Sequence, residues 1–201
     1  MEKKYFFFDI DGTLTDRSTG KIVPSAREAL DRLEANGHFV AIATGRAHYK
    51  ARKFTGANGF KNMVCCGGNG CVINNELVEN IPLDKEGCLQ IIHQSEELGY
   101  GWCVALDDTK DVYMTDDKFL RQVGKRKEPT RYIIDDMLDI DSVDAIYKIY
   151  VAIPKEEEEK LTKKELIGHL RFEPEYLMFQ PDNKRGGIVK MMEYLGADIK
   201  N

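Results

Sequence analysis

The chain has 201 residues, 42% hydrophobic and 31% charged, with a net charge of -5. That balance describes a globular protein able to bury one large core or two small ones, and it excludes disordered and fibrous classes. The acidic excess gives no footprint for nucleic acid or an anionic membrane, and no run reaches the ~20 apolar residues that span a bilayer, so a cytoplasmic protein with neither partner is expected.

Residues 5–10, "YFFFDI", form an unbroken apolar run of β-favouring residues and predict a strand covered on both faces. A helix follows, with Pro24 ahead of a capping box from Ser25 to Glu28, an apolar face of Ala26, Ala29, Leu30 and Leu33, and Gly37 as its stop. "FVAIAT" (39–44) is a second buried strand closed by Gly45. Strand, helix and strand in this order make a βαβ unit and so a parallel sheet. A short helix over 47–55 ends near Gly56, and "NMVCC" (62–66) is a third strand running into the Gly-rich "GGNG". "CVINNELV" reads as a hairpin turning at Asn74 and Asn75. The five cysteines are odd in number and lack paired zinc spacing, so reduced, mostly buried thiols are expected.

From about residue 81 the rhythm changes. A helix near 84–98 precedes the β-like runs "GWCVALDD" and "DVYMTD", then an alternating strand over 145–153, a charged helix "KEEEEKLTKKELIGHL" and the strand "EYLMFQ". Adjacent strand pairs flanked by helices suggest an antiparallel α+β module at 81–182, inserted into a parallel-sheet core formed by 1–80 and 183–201. Glu156 to Glu159 read as a solvated helix start, not a metal site. The final helix carries Ile188, Met191, Met192 and Leu195 on one face and stops at Gly196.

Asp9 and Asp11 end the first strand, followed at once by Gly12 and Thr13. An aspartate is a competent nucleophile toward phosphorus, and a second carboxylate one residue away can protonate the leaving oxygen and later deprotonate water. Gly12 lets backbone amides approach an anion, and the carboxyl end of a buried parallel strand is where open α/β sheets bind ligands. Thr44, Gly45 and Arg46 end the second strand on the same edge, and Lys184 at the last helix could reach a bound phosphate. The pattern points to phosphoryl transfer through a covalent carboxylate intermediate.

Taken together, "FFFDIDGTLTD", "AIATGR" and "NKRGGIVKMMEYLG" resemble the first three motifs of the haloacid dehalogenase (HAD) superfamily. The inserted module, "CCGGNGCVI" and "KIYVAI" are similar to its Cof-type, large-cap branch. The resemblance implies a Rossmann-like HAD core with an α+β cap domain and Mg2+-dependent hydrolysis of small phosphate esters such as sugar phosphates. It further implies Asp9 as nucleophile and metal ligand, and Asp11 as acid, base and metal ligand through its carbonyl. Thr44 and Lys184 would bind the phosphoryl group, with Gly12, Gly45, Arg46 and Asn69 lining the substrate side. Arg185 stands where the family commonly has glycine, so it remains an alternative to Lys184.

One departure matters. Family members continue into a strand ending in GDxxND, which supplies further magnesium carboxylates, and no such motif occurs in these 201 residues. The resemblance therefore implies a truncated phosphatase with a thin metal site, and a first strand left at an open sheet edge where a second copy could pair. A non-catalytic phosphate-binding or regulatory protein, or a phosphomutase, remains as an alternative reading.

Overall fold

A computed structural model of the chain describes residues 2–16, 18–126 and 130–200, which fall into two compact units, Met1–Asn80 with Asp182–Asn201 and Ile81–Pro181. In the first unit, β1 (Tyr5–Phe8), β2 (Phe39–Ala43), β3 (Met63–Cys65), β4 (Gly70–Ile73) and β5 (Glu76–Asn80) form one sheet in that spatial order. β1, β2 and β3 run parallel, and β4 and β5 return antiparallel. The helices α1 (Pro24–Ala35) and α2 (His48–Ala57) supply the crossovers that parallel neighbours need. The first unit is therefore a Rossmann-like core, into which an α+β unit is inserted.

The alternation along β2 builds both faces. Val40 and Ile42 pack with Leu30, Ala51 and Met63 on one side. Ala41 and Ala43 pack with Val64 and Met191 on the other. The small alanines leave room for α5 (Lys184–Tyr194) to lie close to the sheet. Asn74 and Asn75, with φ of 52° and 67°, form the expected hairpin turn between β4 and β5, because two positive φ values match the right-handed twist of the strands.

The inserted unit has a sheet ordered β10-β11-β9-β6-β7-β8, with β6 at Trp102–Ala105, β7 at Asp111–Met114, β8 at Arg131–Ile134, β9 at Lys148–Val151, β10 at His169–Glu173 and β11 at Tyr176–Phe179. All pairs are antiparallel except β7 with β8. The helix α3 (Lys85–Glu97), capped by the Asp84 carboxylate, packs Cys88, Ile91 and Ile92 on one face. The short α4 (Lys118–Val123) packs Phe119 on the other.

Several local expectations are corrected. No capping box forms at Ser25: Pro24, with its φ preset for a helix, takes the first helical turn, and Val23 is an N-cap without a side-chain bond. Ala29 is exposed. Gly56 lies inside α2, which runs on to Ala57. β1 is half-buried instead of fully buried and lies at the end of its sheet among the described residues, with Phe8 packed on one face and Phe7 on the other.

The charged helix is replaced by two 3-10 turns, Lys155–Lys160 and Thr162–Leu166. Leu161 between them has ψ of 77° and is fully buried, and a continuous helix could not insert it there. Nor is the acidic run simply solvated: Glu158 accepts from Arg171 at 2.8 Å and meets the buried Lys164, while Glu157 accepts from Lys160 and Tyr100. Tertiary ion pairs override helix propensity here. β8, β10 and α4 carry no pattern strong enough to mark them in the sequence.

Candidate active site

β1 delivers two acids to the carboxyl end of the parallel sheet. The β1–β2 register ends with Phe8 beside Ile42, so Asp9 and Thr44 both follow at that edge. Between the acids, Ile10 is fully buried and anchors the loop. Its carbonyl accepts from the amides of Leu14 and Thr15 and from the Thr15 hydroxyl. With Ile10 fixed inward, Asp9 and Asp11 turn outward, their side chains 36% and 62% exposed. Gly12 has φ of 77°, the left-handed conformation that lets the chain fold back after Asp11. The Ile10 amide donates to Asp9 Oδ1 at 2.8 Å.

The lysine arrives from the far end of the chain. Lys184 Nζ lies 2.8 Å from Asp9 Oδ2, whereas Arg185 is exposed. Asn183 caps α5, its side chain accepting from the Gly186 amide at 2.8 Å. The helix start fits tightly against the turn after β3. A Cβ on Gly68, where φ is +119°, would stand 2.1 Å from the Asn183 carbonyl oxygen. One on Gly187 would stand 2.5 Å from the Gly68 oxygen. These glycines allow the approach that brings Lys184 to Asp9.

The end of β2 is held by the same turn. The Thr44 amide donates to Val64, the Gly67 amide to the Thr44 carbonyl at 3.2 Å, and the Cys66 amide to the Arg46 carbonyl at 2.8 Å. Thr44 is 1% exposed, and its hydroxyl accepts from the Arg46 amide at 3.2 Å across Gly45. Arg46 extends its guanidinium to Asp11 as a fork, Nε to Oδ2 at 2.8 Å and Nη2 to Oδ1 at 2.5 Å. That fork holds the Asp11 carboxyl below its usual range; partial burial opposes it, and the charges of Arg46, Lys50 and Lys184 add to the lowering. Asn69 lies on the turn, its amide donating to the Cys66 carbonyl.

Asp9, Asp11, Gly12, Thr44, Gly45, Arg46, Asn69 and Lys184 thus gather at one sheet edge and the turn bound to it. Two residues that support the site escaped the sequence reading. Lys50 in the first turn of α2 biases Asp11, and its place four residues after Arg46 was the available signal. Asn183 orients α5, and an Asn directly before a helical pattern is an ordinary N-cap signal.

The donor set does not by itself fit a magnesium site. Both Asp9 oxygens and both Asp11 oxygens are engaged by protein donors, and no group of three or more His, Cys, Asp or Glu suited to a metal occurs among the described residues. A cation that demands six oxygens in octahedral array needs more than this.

Residues 6–201 match the family described as haloacid dehalogenase-like hydrolase. The Bacillus subtilis (strain 168) protein named "Putative phosphatase YkrA" is 26% identical over 202 residues, covering 99% of this chain and 77% of that protein. A hypothetical protein from Geobacillus kaustophilus HTA426 superposes with a TM-score of 0.75 at 24% identity, over 99% of this chain and 78% of that one. The HAD subclass IIB sugar phosphatase BT4131 does so with a TM-score of 0.71 at 21% identity, over 99% of this chain and 78% of that one. Likeness at such identity speaks for the fold alone.

Proposed function

Because the chain belongs to the haloacid dehalogenase-like hydrolase family, we propose that it hydrolyses small phosphate monoesters, sugar phosphates among them, through an aspartyl phosphate on Asp9. The observation that carries this reading is the Lys184–Asp9 contact at 2.8 Å, made by residues 175 apart in sequence at the carboxyl end of parallel strands. A carboxylate there is exposed to an incoming phosphorus, and the ammonium beside it offsets like-charge repulsion with a phosphate dianion.

In the first step an Asp9 oxygen bonds to phosphorus as the ester oxygen leaves, taking a proton from Asp11. Water then attacks phosphorus, Asp11 accepts its proton, and the Asp9–phosphorus bond breaks to release phosphate. Asp11 can donate only when protonated, and the Arg46 fork favours its ionised form. The acid role therefore needs Arg46 to leave Asp11, and a bound phosphate is an alternative partner of matching geometry for the guanidinium. Thr44 and Lys184 hold the phosphoryl oxygens.

The locked Asp11 and the incomplete donor set favour a second reading, a protein that binds phosphate without turning it over. Hydrolysis of p-nitrophenyl phosphate with and without magnesium decides between them. Turnover that disappears in Asp9→Asn supports the phosphatase, whereas phosphate binding with no turnover in either condition supports the binding role. For assembly, pairing of two copies along β1 is proposed from its end position in the sheet. A monomer at every concentration in sedimentation would exclude that pairing.

A further inference from the structure

Two sulfurs lie side by side on the turn that ties the site together. Cys65 ends β3 fully buried, Cys66 is half-buried, and their Sγ atoms are 4.0 Å apart. Both lie against Gly70, where a Cβ would stand 2.4 Å from the Cys65 sulfur and 3.3 Å from the Cys66 sulfur. A side chain at 70 would drive the pair from its place. Cys66 also has φ of 51°, the left-handed region that disfavours a residue bearing Cβ.

The backbone of these residues holds the site. Cys66 donates to the Arg46 carbonyl, Gly67 donates to the Thr44 carbonyl, and the Gly67 carbonyl accepts from Asn183, the cap residue before Lys184, at 2.8 Å. These bonds link the torsions of Cys65 and Cys66 to Thr44, to Arg46 and to the residue before Lys184.

We infer that Cys65 and Cys66 are a redox site, closing to a reversible vicinal disulfide with hydrogen peroxide and thereby disordering the phosphate-binding edge; the effect on turnover rests on the phosphatase reading. The half-exposed Cys66 attacks one peroxide oxygen, the O–O bond breaks, and the departing hydroxide takes the thiol proton as water. Cys65 then attacks the sulfenic sulfur and displaces hydroxide, which leaves with the second thiol proton as water. Two thiols lose two electrons and the peroxide gains them.

The sulfurs must close from 4.0 Å to a bond of ~2.05 Å. Adjacent Cα atoms are about 3.8 Å apart, below the usual span of a disulfide, so the ring is strained and readily reopened by a thiol. The required motion falls on the torsions from which the three backbone bonds hang. Cys71, the next cysteine, is a poorer partner because it packs with Ala41 and Ala43 on the opposite face of the sheet from Cys65 and Cys66.

The test treats the full chain with hydrogen peroxide, unfolds it in urea because four of its cysteines are buried, blocks free thiols with iodoacetamide and weighs the product. Two of the five cysteines should escape the label, and trypsin should place both in the peptide between Lys61 and Lys85. Dithiothreitol should restore them, Cys66→Ser should prevent the loss, and Cys71→Ala should leave it intact. Amide exchange at Gly67 and Asn183 should quicken on oxidation. Hydrolysis of p-nitrophenyl phosphate should fall by about tenfold or more, since displacement by ~1 Å can cost up to about 100-fold. Five labelled cysteines after oxidation, a disulfide that persists in Cys66→Ser, or an oxidised protein with unchanged exchange and rate would overturn the inference. If the reduced chain shows no hydrolysis while label and exchange behave as expected, the phosphatase reading falls and the redox site stands.

Discussion

Replacing Lys184 by methionine separates a catalytic contact from a structural one. The ion pair with Asp9 is short at 2.8 Å, but its side chains are 40% and 36% exposed, and pairs so open to water contribute less than ~1 kcal/mol to folding. In the proposed hydrolysis the same ammonium would do far more toward an incoming phosphate. Two like charges about 4 Å apart repel by ~4 kcal/mol at an effective dielectric of ~20, and a cation beside both offsets roughly half to all of one such pair. Losing ~2–4 kcal/mol from the barrier corresponds to a fall in kcat/KM of roughly 30- to 1,000-fold. Lys184→Met should therefore show that fall with p-nitrophenyl phosphate while its urea unfolding free energy shifts by less than ~1 kcal/mol. A rate within about threefold of the parent chain would refute the role given to Lys184. So would a loss of folding stability larger than the loss of activity.

Asp9→Asn should abolish any phosphoenzyme seen by intact mass, whereas Asp11→Asn should still accumulate it with a good leaving group such as p-nitrophenolate, because only proton transfer is lost. Gly68→Ala would place a Cβ 2.1 Å from the Asn183 carbonyl oxygen at a φ of +119°, and should cost more than ~2 kcal/mol in urea unfolding through overpacking and backbone strain. Burial raises Cys71 to about 11 and Cys88 to about 12. A raised thiol stays protonated in the folded chain after the unfolded chain ionises near pH ~8.5–9, so stability present below that pH should decline as pH rises toward 11. Urea midpoints at pH 8 and 10.5 check this, and Cys88→Ala should flatten the decline.

How far the site could be read without coordinates depends on whether a residue acts locally. Asp9, Asp11 and Gly12 are legible because an apolar strand, two acids and a glycine are consecutive, and strand geometry alone carries them to the sheet edge. Thr44 and Arg46 follow for the same reason from "FVAIATGR". The Arg46–Asp11 fork could not be read, since it depends on the direction of one long side chain across two loops. In the inserted unit the same limit explains the charged segment: Glu156 to Glu159 suit a helix start by themselves, and only the distant Arg171 and Tyr100 and the inward pull on Leu161 turn the chain otherwise.

The choice between Lys184 and Arg185 shows where local pattern ends and packing decides. The four-residue spacing to Ile188 favours Lys184 but leaves Arg185 open. What selects Lys184 is the register of that helix against the sheet, set by Asn183 as its cap and by Gly68 and Gly187 meeting without side chains. Had either glycine carried a Cβ, the helix start would be forced back from the turn, and the ammonium would draw away from Asp9. The glycines of "CCGGNG" and "KRGG" thus shape the proposed phosphate site as much as the charged groups do. A chain keeping the acids and the lysine but losing these glycines would keep the residues of the site and lose its geometry.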